Sequence, residues 1–145
     1  MAKKLRRDDQ AAEIVLQAFR LGGLLPDARA AEVSALFPNS DLFEYAPDEH
    51  IIEQDETGKD VFVLCAGKVA IAKTLGTAGT TLATLEPGAI FGEMALLRDG
   101  VRVATVAAQA KCKIFRLAAR DIEAVLRSHP HVGTLLLELA AKRSV

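Results

Sequence analysis

The stretch Phe91-Gly92-Glu93-Met94-Ala95-Leu96-Leu97-Arg98-Asp99-Gly100-Val101-Arg102-Val103-Ala104-Thr105-Val106 breaks into a long β-like region. Gly92 to Leu97 has no period-two alternation and reads as one helical turn set between strands. Pro87-Gly88 and Gly92 precede it, where the backbone can turn or approach a ligand closely. The first amides of a helical turn have no intrahelical partner, so they form a ready anion site. Glu93 sits in that turn. Arg102 follows nine residues on, after the Asp99-Gly100 turn, as the first polar residue of an otherwise apolar strand. An acid and a base so placed suit a ligand with a phosphate and a diol. A guanidinium grips phosphate oxygens with two parallel bonds, and a carboxylate accepts from hydroxyls. A structural ion pair between Glu93 and Arg102 accounts for the same two charges, and on physics alone it is the simpler account.

On either side of this stretch the chain changes period. From Asp9 to Leu21, the residues Ala11, Ile14, Val15, Ala18 and Phe19 fall on one helical face. Gly22-Gly23 stops that helix, Pro26-Asp27 opens a second through about Phe37, and Pro38-Asn39-Ser40 closes the helical section. Between Leu42 and Leu117 short apolar runs alternate with turn chemistry. The runs are Ile51-Ile52, Val61 to Cys65, Val69 to Ile71, Thr80 to Leu85, Val103 to Val106 and Ile114 to Leu117. The turns fall at Pro47-Asp48, Thr57-Gly58, Ala66-Gly67, Gly76 to Gly79, Pro87-Gly88 and Asp99-Gly100. Strands this short and this closely spaced suggest a closed roll and not βαβ units. Helix returns near Arg120 with Ile122, Val125 and Leu126 on one stripe. Ser128-His129-Pro130 breaks it, and Pro130 is placed to begin a last helix carrying Val132, Leu135, Leu136, Leu139 and Ala140. The expected fold is therefore α+β: an antiparallel, jelly-roll-like β-roll of about eight short strands. It carries N-terminal helices, the one-turn helix and two C-terminal helices. The division is 1–40 (N-terminal helical segment), 41–118 (roll with its pocket) and 119–145 (hinge and lid helices).

With 145 residues, half of them apolar and 26% charged, the chain can bury one sizeable core. A net charge of −1 provides no global field to draw in nucleic acid or membrane. The one basic run, Lys3-Lys4-Leu5-Arg6-Arg7, reads as a frayed, solvated tail. Cys65 and Cys112 lie in apolar runs without a signal-peptide pattern, which points to buried thiols in a reducing cytoplasm. No apolar run reaches the ~18 residues of a spanning helix.

The quoted stretch resembles the phosphate-binding cassette of the cyclic nucleotide-binding domain family. That pattern is Phe-Gly-Glu, a few apolar or small residues, a variable loop, then Pro-Arg-x-Ala-Thr/Ser-Val. Here it stands as Phe91-Gly92-Glu93-Met94-Ala95-Leu96-Leu97 and Val101-Arg102-Val103-Ala104-Thr105-Val106. Tyr45 to Ile52 and Gly58 to Phe62 resemble the family's first strands, and the likeness spans roughly residues 24 to 142. It implies that Glu93 holds the ribose 2′-hydroxyl and Arg102 the cyclic phosphate, with backbone groups of Gly92, Met94, Ala95 and Val103 around the phosphate and Ala104 beside them. Phe91, Val61, Phe62, Leu64, Val69, Ile71, Leu82 and Leu85 are candidates to wall the base or pack the core, packing being the commoner role for such residues. Leu136, Leu139, Lys142 and Arg143 are candidates to cap the base from the last helix.

Departures from the pattern are Val101 for the usual proline, and Asp48 and Asp55 where glycines are usual. Aspartate tolerates left-handed backbone. Val103 lacks the hydroxyl that often meets guanine, which tilts the expected ligand toward cAMP, with cGMP possible. No cofactor is implied, and the resemblance points to a ligand sensor, not an enzyme. His50, His129 and His131 lack a third ligand at suitable spacing, so they do not suggest a metal site. The expected partners are the small cyclic nucleotide and an effector protein whose identity is open, with no nucleic acid and no membrane, in a monomer or homodimer. A scaffold that keeps the fold and binds no nucleotide is the alternative. The first helix has an apolar face that could cover the roll, meet a second copy or receive the last helix. The Met1-Ala2-Lys3 start reads as a natural N-terminus, yet the chain is either a free-standing sensor or a fragment of a larger receptor.

Overall fold

A computed structural model describes residues 2–21, 29–75, 78–97 and 100–143. The expected stop at Gly22-Gly23, the start at Pro26-Asp27, part of the Gly76 to Gly79 turn, and Asp99 lie outside the described residues. Nine strands are described: β1 (Lys3–Leu5), β2 (Asp41–Tyr45), β3 (His50–Ile52), β4 (Val61–Ala66), β5 (Val69–Leu75), β6 (Ala78–Leu85), β7 (Ile90–Phe91), β8 (Thr105–Ala108) and β9 (Cys112–Leu117). They form two antiparallel sheets, ordered β1-β2-β9-β4-β7 and β3-β8-β5-β6. Five helices accompany them: α1 (Asp9–Ala18), α2 (Arg29–Leu36), the one-turn α3 (Met94–Leu97), α4 (Ala119–Ser128) and α5 (Pro130–Arg143). The α+β roll with its C-terminal helices is thus as expected. Among the described residues no helix is long and apolar enough to cross a membrane.

β4 and β9 are the shared wall of two cores. Val61, Val63 and Cys65 of β4, with Phe115 and Leu117 of β9, face α1, α4 and α5, where Val15, Leu16, Phe19, Ile122, Val125, Val132 and Leu136 meet them. Phe62, Leu64 and Ile114 point the other way, into the roll, toward Ile52, Val69, Ile71 and Val106. Burial on both faces explains why Val61 to Cys65 is apolar throughout and does not alternate. The buried side of α1 is Ala11, Ala12, Val15 and Leu16. It covers the sheet, and α5 lies against the same cluster; the His131 ring Nε2 is also 3.2 Å from the Phe19 carbonyl oxygen.

Three expectations are corrected. The basic run is not a frayed tail. Lys3–Leu5 pairs with β2 (Leu5 opposite Leu42), Leu5 packs on the helix-side core, and Arg7 donates to Ser34 Oγ at 3.2 Å and to the Ser40 carbonyl. The open edge of β2 gives those backbone groups partners, and that outweighs the tendency of a terminus to fray. The strand expected over Val103 to Val106 begins only at Thr105, because residues 100–102 pair instead with the 56–58 loop through an isolated Thr57–Val101 bridge. Val61, a candidate wall for the base, is fully buried on the helix side.

Asp121, 3% exposed, ties the end of the helical section to α4. It accepts from Asn39 N at 2.8 Å, Asn39 Nδ2 at 2.7 Å and Ser40 Oγ at 2.7 Å, while Ser40 Oγ accepts from Ala118 N at 3.0 Å. Removing the carboxylate strands buried donors. Asp121→Ala is expected to lower unfolding free energy by about 2–4 kcal/mol in urea denaturation; a loss under about 0.5 kcal/mol, the level of an ordinary surface change, would show the tie to be idle.

Candidate functional site

β7 ends at Phe91, and Gly92 turns the chain into α3 with φ +83°. A Cβ on Gly92 would come within 3.1 Å of both Arg102 Nη1 and the Phe62 ring, so position 92 needs glycine for its backbone and for its space. After α3, Gly100 N donates to Ala95 O at 2.8 Å and closes the loop. Gly58 N then donates to Gly100 O at 2.7 Å and Arg102 N to Glu56 O at 2.9 Å. These two bonds bracket Val101 without using its own N–H, so a proline there would cost neither of them. Asp55, at φ +71°, donates its N–H to Arg102 O at 2.8 Å. Asp48 is also at φ +71°, so both aspartates hold the left-handed backbone that the sequence implied.

The Arg102 side chain is 7% exposed. Nη1 donates to Gly92 O at 2.9 Å and Nη2 to Asp60 O at 3.0 Å, and the guanidinium lies 5.7 Å from the centre of the Phe62 ring. Phe62 in turn stacks on Phe91, with centroids 5.3 Å apart and planes 12° from parallel. Burial lowers the Arg102 pKa and the nearby Asp60 charge opposes it; Arg116 lowers it further and Glu93 raises it. Guanidinium pKa values start so high that the group keeps its charge. Glu93 is 1% exposed.

These groups open on a cleft of about 370 Å³. Glu93 and Arg102 are its polar side chains; Phe91, Gly92, Met94 and Ala95 line it beside them, and Ile52, Ile71, Val103, Ala104 and Val106 complete the wall. Nine residues singled out from the sequence (Ile71, Phe91 to Ala95 and Arg102 to Ala104) therefore meet in one place. Leu82 does not reach it and stands 41% exposed on β6; the Arg143 side chain lies outside the described residues. Ile52 and Val106 were not foreseen as lining residues. The signal for Val106 was the alternation Arg102, Ala104, Val106, buried to 7%, 6% and 4% exposure. Ile52 reaches the site through β3–β8 pairing, which local sequence does not carry.

A second, polar cleft of about 730 Å³ flanks Arg102, bounded by Tyr45, Glu53, Glu56, Asp60, Phe62 and Arg116. Its floor holds the Asp60–Arg116 pair, with Nε to Oδ2 at 2.6 Å, and Asp60 Oδ1 accepts from Ala119 N at 3.1 Å. His129 and His131 stand edge-on, 6.1 Å between ring centres, with Ser128 Oγ 2.8 Å from His129 Nδ1.

Known proteins resemble this chain in sequence and in fold. The family model described as "Cyclic nucleotide-binding domain" matches residues 42–129. The chain is 36% identical over 100 residues to the cyclic AMP receptor protein of Thermus thermophilus, which covers 68% of this chain and 46% of that protein. It is 37% identical over 79 residues to the cAMP-dependent protein kinase regulatory subunit of Mycosarcoma maydis, 54% of this chain and 15% of that one. The crystal structure of the Thermus thermophilus catabolite activator protein superposes with a TM-score of 0.70 at 32% identity, over 87% of this chain and 57% of that one. A cyclic nucleotide-binding domain from Methylobacillus flagellatus shares the fold, with a TM-score of 0.73 at 19% identity over 94% of this chain and 77% of that one. The chain spans less than half the length of these two curated relatives. It belongs to the cyclic nucleotide-binding domain family.

Proposed function

We propose that this chain is a cytoplasmic cyclic-nucleotide sensor, with cAMP its preferred ligand, that signals to a separate partner through its C-terminal helices. The observation that carries the reading is a guanidinium and a carboxylate, 7% and 1% exposed, opening on one cleft whose remaining wall is apolar. In this reading Arg102 takes the cyclic phosphate, Glu93 accepts from the ribose 2′-hydroxyl, and backbone groups of Gly92, Met94, Ala95 and Val103 surround the phosphate. Ile52, Ile71 and Val106 offer the base an apolar surface, and Val103 offers guanine no hydroxyl. Residues 41–118 then act as the receptor, 1–40 as its support and 119–145 as hinge and lid. The role is binding without catalysis.

Each charge-assisted bond to the phosphate contributes about 1.5–3 kcal/mol. Arg102→Ala is expected to weaken cAMP binding by about 2–5 kcal/mol, roughly 30- to several-thousand-fold, and Glu93→Ala to weaken it in the same direction. Titration calorimetry reads both. Unchanged affinity in Arg102→Ala removes the assignment, and a flat trace with every cyclic nucleotide favours a scaffold that keeps the fold without the ligand. In competition on the unmodified chain, cAMP is expected to displace a labelled nucleotide at lower concentration than cGMP; the reverse order would overturn the adenine preference.

A third cleft, of about 670 Å³, supports the lid role. Glu93 borders it together with Leu126, Gly133, Leu136 and Leu137, so the ribose-binding acid and the C-terminal helices share one space, and Leu137 stands 58% exposed beside it. Ligand can shift the helices only by its differential affinity for the closed arrangement. Amide exchange across residues 130–143 is expected to slow when cAMP saturates the chain; identical exchange with and without ligand would refute the lid.

A further inference from the structure

The polar cleft of about 730 Å³ that flanks Arg102 contains a hydroxyl for which the chain has no use of its own. Tyr45 ends β2, and it packs in the roll core with Ile52 and Phe62, which leaves it 8% exposed. It lines the cleft, and among the described residues its hydroxyl has no hydrogen-bond partner. Buried polar groups are nearly always bonded, so a bare phenol facing a cleft points to a group that arrives from outside. Burial pushes the Tyr45 pKa up; the Arg116 charge opposes this and the Glu49 charge adds to it.

The charges around this hydroxyl are unevenly matched. Glu53 is in contact with His50 Nδ1, and the Asp60 carboxylate accepts from Arg116 Nε at 2.6 Å and from Ala119 N at 3.1 Å. Arg102 donates to the carbonyls of Gly92 and Asp60. Glu56 accepts from Arg102 N through its main-chain oxygen, and its carboxylate has no partner among the described residues. The cleft therefore offers an incoming group two unused acceptors, a phenol oxygen and a carboxylate.

From this we infer that the polar cleft is a binding site for an organic cation with N–H donors, an alkylguanidinium or alkylammonium group. An anion is opposed by Glu53, Glu56 and Asp60, and the guanidinium of Arg116 already holds a carboxylate. A metal ion does not fit, because among the described residues no three acidic, histidine or cysteine side chains come together to hold one. A guanidinium or ammonium brings its own hydrogens. It donates to the Tyr45 oxygen, its charge meets Glu56, and its alkyl stem lies on Ile51 in the same wall. The inference does not rest on the nucleotide reading, and its test uses no nucleotide.

Tyr45 is the one tyrosine of the chain and there is no tryptophan, so intrinsic fluorescence reports on this position alone. Methylguanidinium titrated into the full chain at constant ionic strength is expected to change that fluorescence saturably. Tetramethylammonium carries the same charge without N–H donors and is expected to bind more weakly. Equal responses to both, or to sodium chloride, overturn the inference, as does a response to acetate or phosphate in place of the cations. At alkaline pH a bound guanidinium keeps its charge and favours the phenolate, so tyrosinate absorbance is expected to appear at lower pH with the probe than without it. An unchanged or raised titration overturns the cation. Tyr45→Phe removes the hydroxyl alone and is expected to weaken methylguanidinium binding about two- to tenfold, and Glu56→Gln about two- to fivefold, read from amide chemical shifts. Undiminished binding in both folded variants overturns the site; where Tyr45→Phe fails to fold, the fluorescence and absorbance of the unmodified chain decide. A capped tripeptide with a central arginine separates two sources of the same group. Tighter binding than methylguanidinium supports the site as one for a partner protein's basic side chain, and weaker binding supports it as one for a free small amine.

Discussion

A single buried cation, Arg102, organises the loops at one end of the roll. Taking a guanidinium out of water costs several kcal/mol unless the protein replaces its hydration. Here the replacement is two main-chain carbonyls, of Gly92 and Asp60, and an aromatic face, Phe62. The requirement propagates outward from there. Gly92 must be glycine because its Cβ would strike Nη1, and Gly58 is close-packed too, with a Cβ there 3.2 Å from Nη2. The main chain of Arg102 is fixed at both its N–H and its carbonyl by the loop of residues 55–56. Three segments distant in sequence are thus brought to one side chain: the end of β7, the loop before β4, and the chain leaving α3.

The second constraint is the shared wall. β4 and β9 bury side chains on both faces, so the layer separating the cleft side from the helices is one sheet thick. Adjacent residues such as Ile114 and Phe115 belong to different cores. Cores packed to crystal-like density do not deform smoothly, and a displacement inside the roll has to be taken up at the edges, where hydrogen bonds and not packed side chains carry the connection. Among the described residues those edge connections include Asp60 to Ala119, Ser40 to Ala118, and Ser40 and Asn39 to Asp121. The helical layer is consequently attached to the roll through an apolar contact that is broad and polar ties that are narrow.

The parts of this arrangement legible in the sequence were those written in local chemistry. The break before Pro130, the helical turn beginning near Gly92, and the left-handed aspartates at 48 and 55 each follow from the residues on the spot. So does the gathering of Glu93 and Arg102, because the motif that holds them is contiguous. What was missed depends on partners far along the chain. β1 exists because the edge of β2, about 40 residues later, is open to it. The two-residue β7 is a strand only by its pairing with Phe62 and Val63. Val61 was offered as a ligand wall because one strand face cannot be told from the other when both are apolar. The Asn39–Asp121 tie spans 82 residues and leaves no local trace.

How Arg102 is held bears on what it can do. Had a carboxylate been its sole partner, a ligand anion would have to break a buried ion pair, and separating such a pair leaves an uncompensated charge at a cost of about 3–5 kcal/mol. Carbonyl dipoles solvate the guanidinium without neutralising it. The nearby carboxylate of Asp60 is turned to Arg116 and to the α4 amide, so it lends Arg102 a favourable field at a distance while its own lone pairs are engaged elsewhere. Of the five N–H groups on a guanidinium, the two carbonyls engage two, one on each Nη. A cation desolvated in advance and left formally charged gains more from an arriving anion than one on the surface, because the attraction is less screened. The carbonyls therefore do two things at once: they make the burial of Arg102 tolerable before any ligand arrives, and they leave its charge for the cleft.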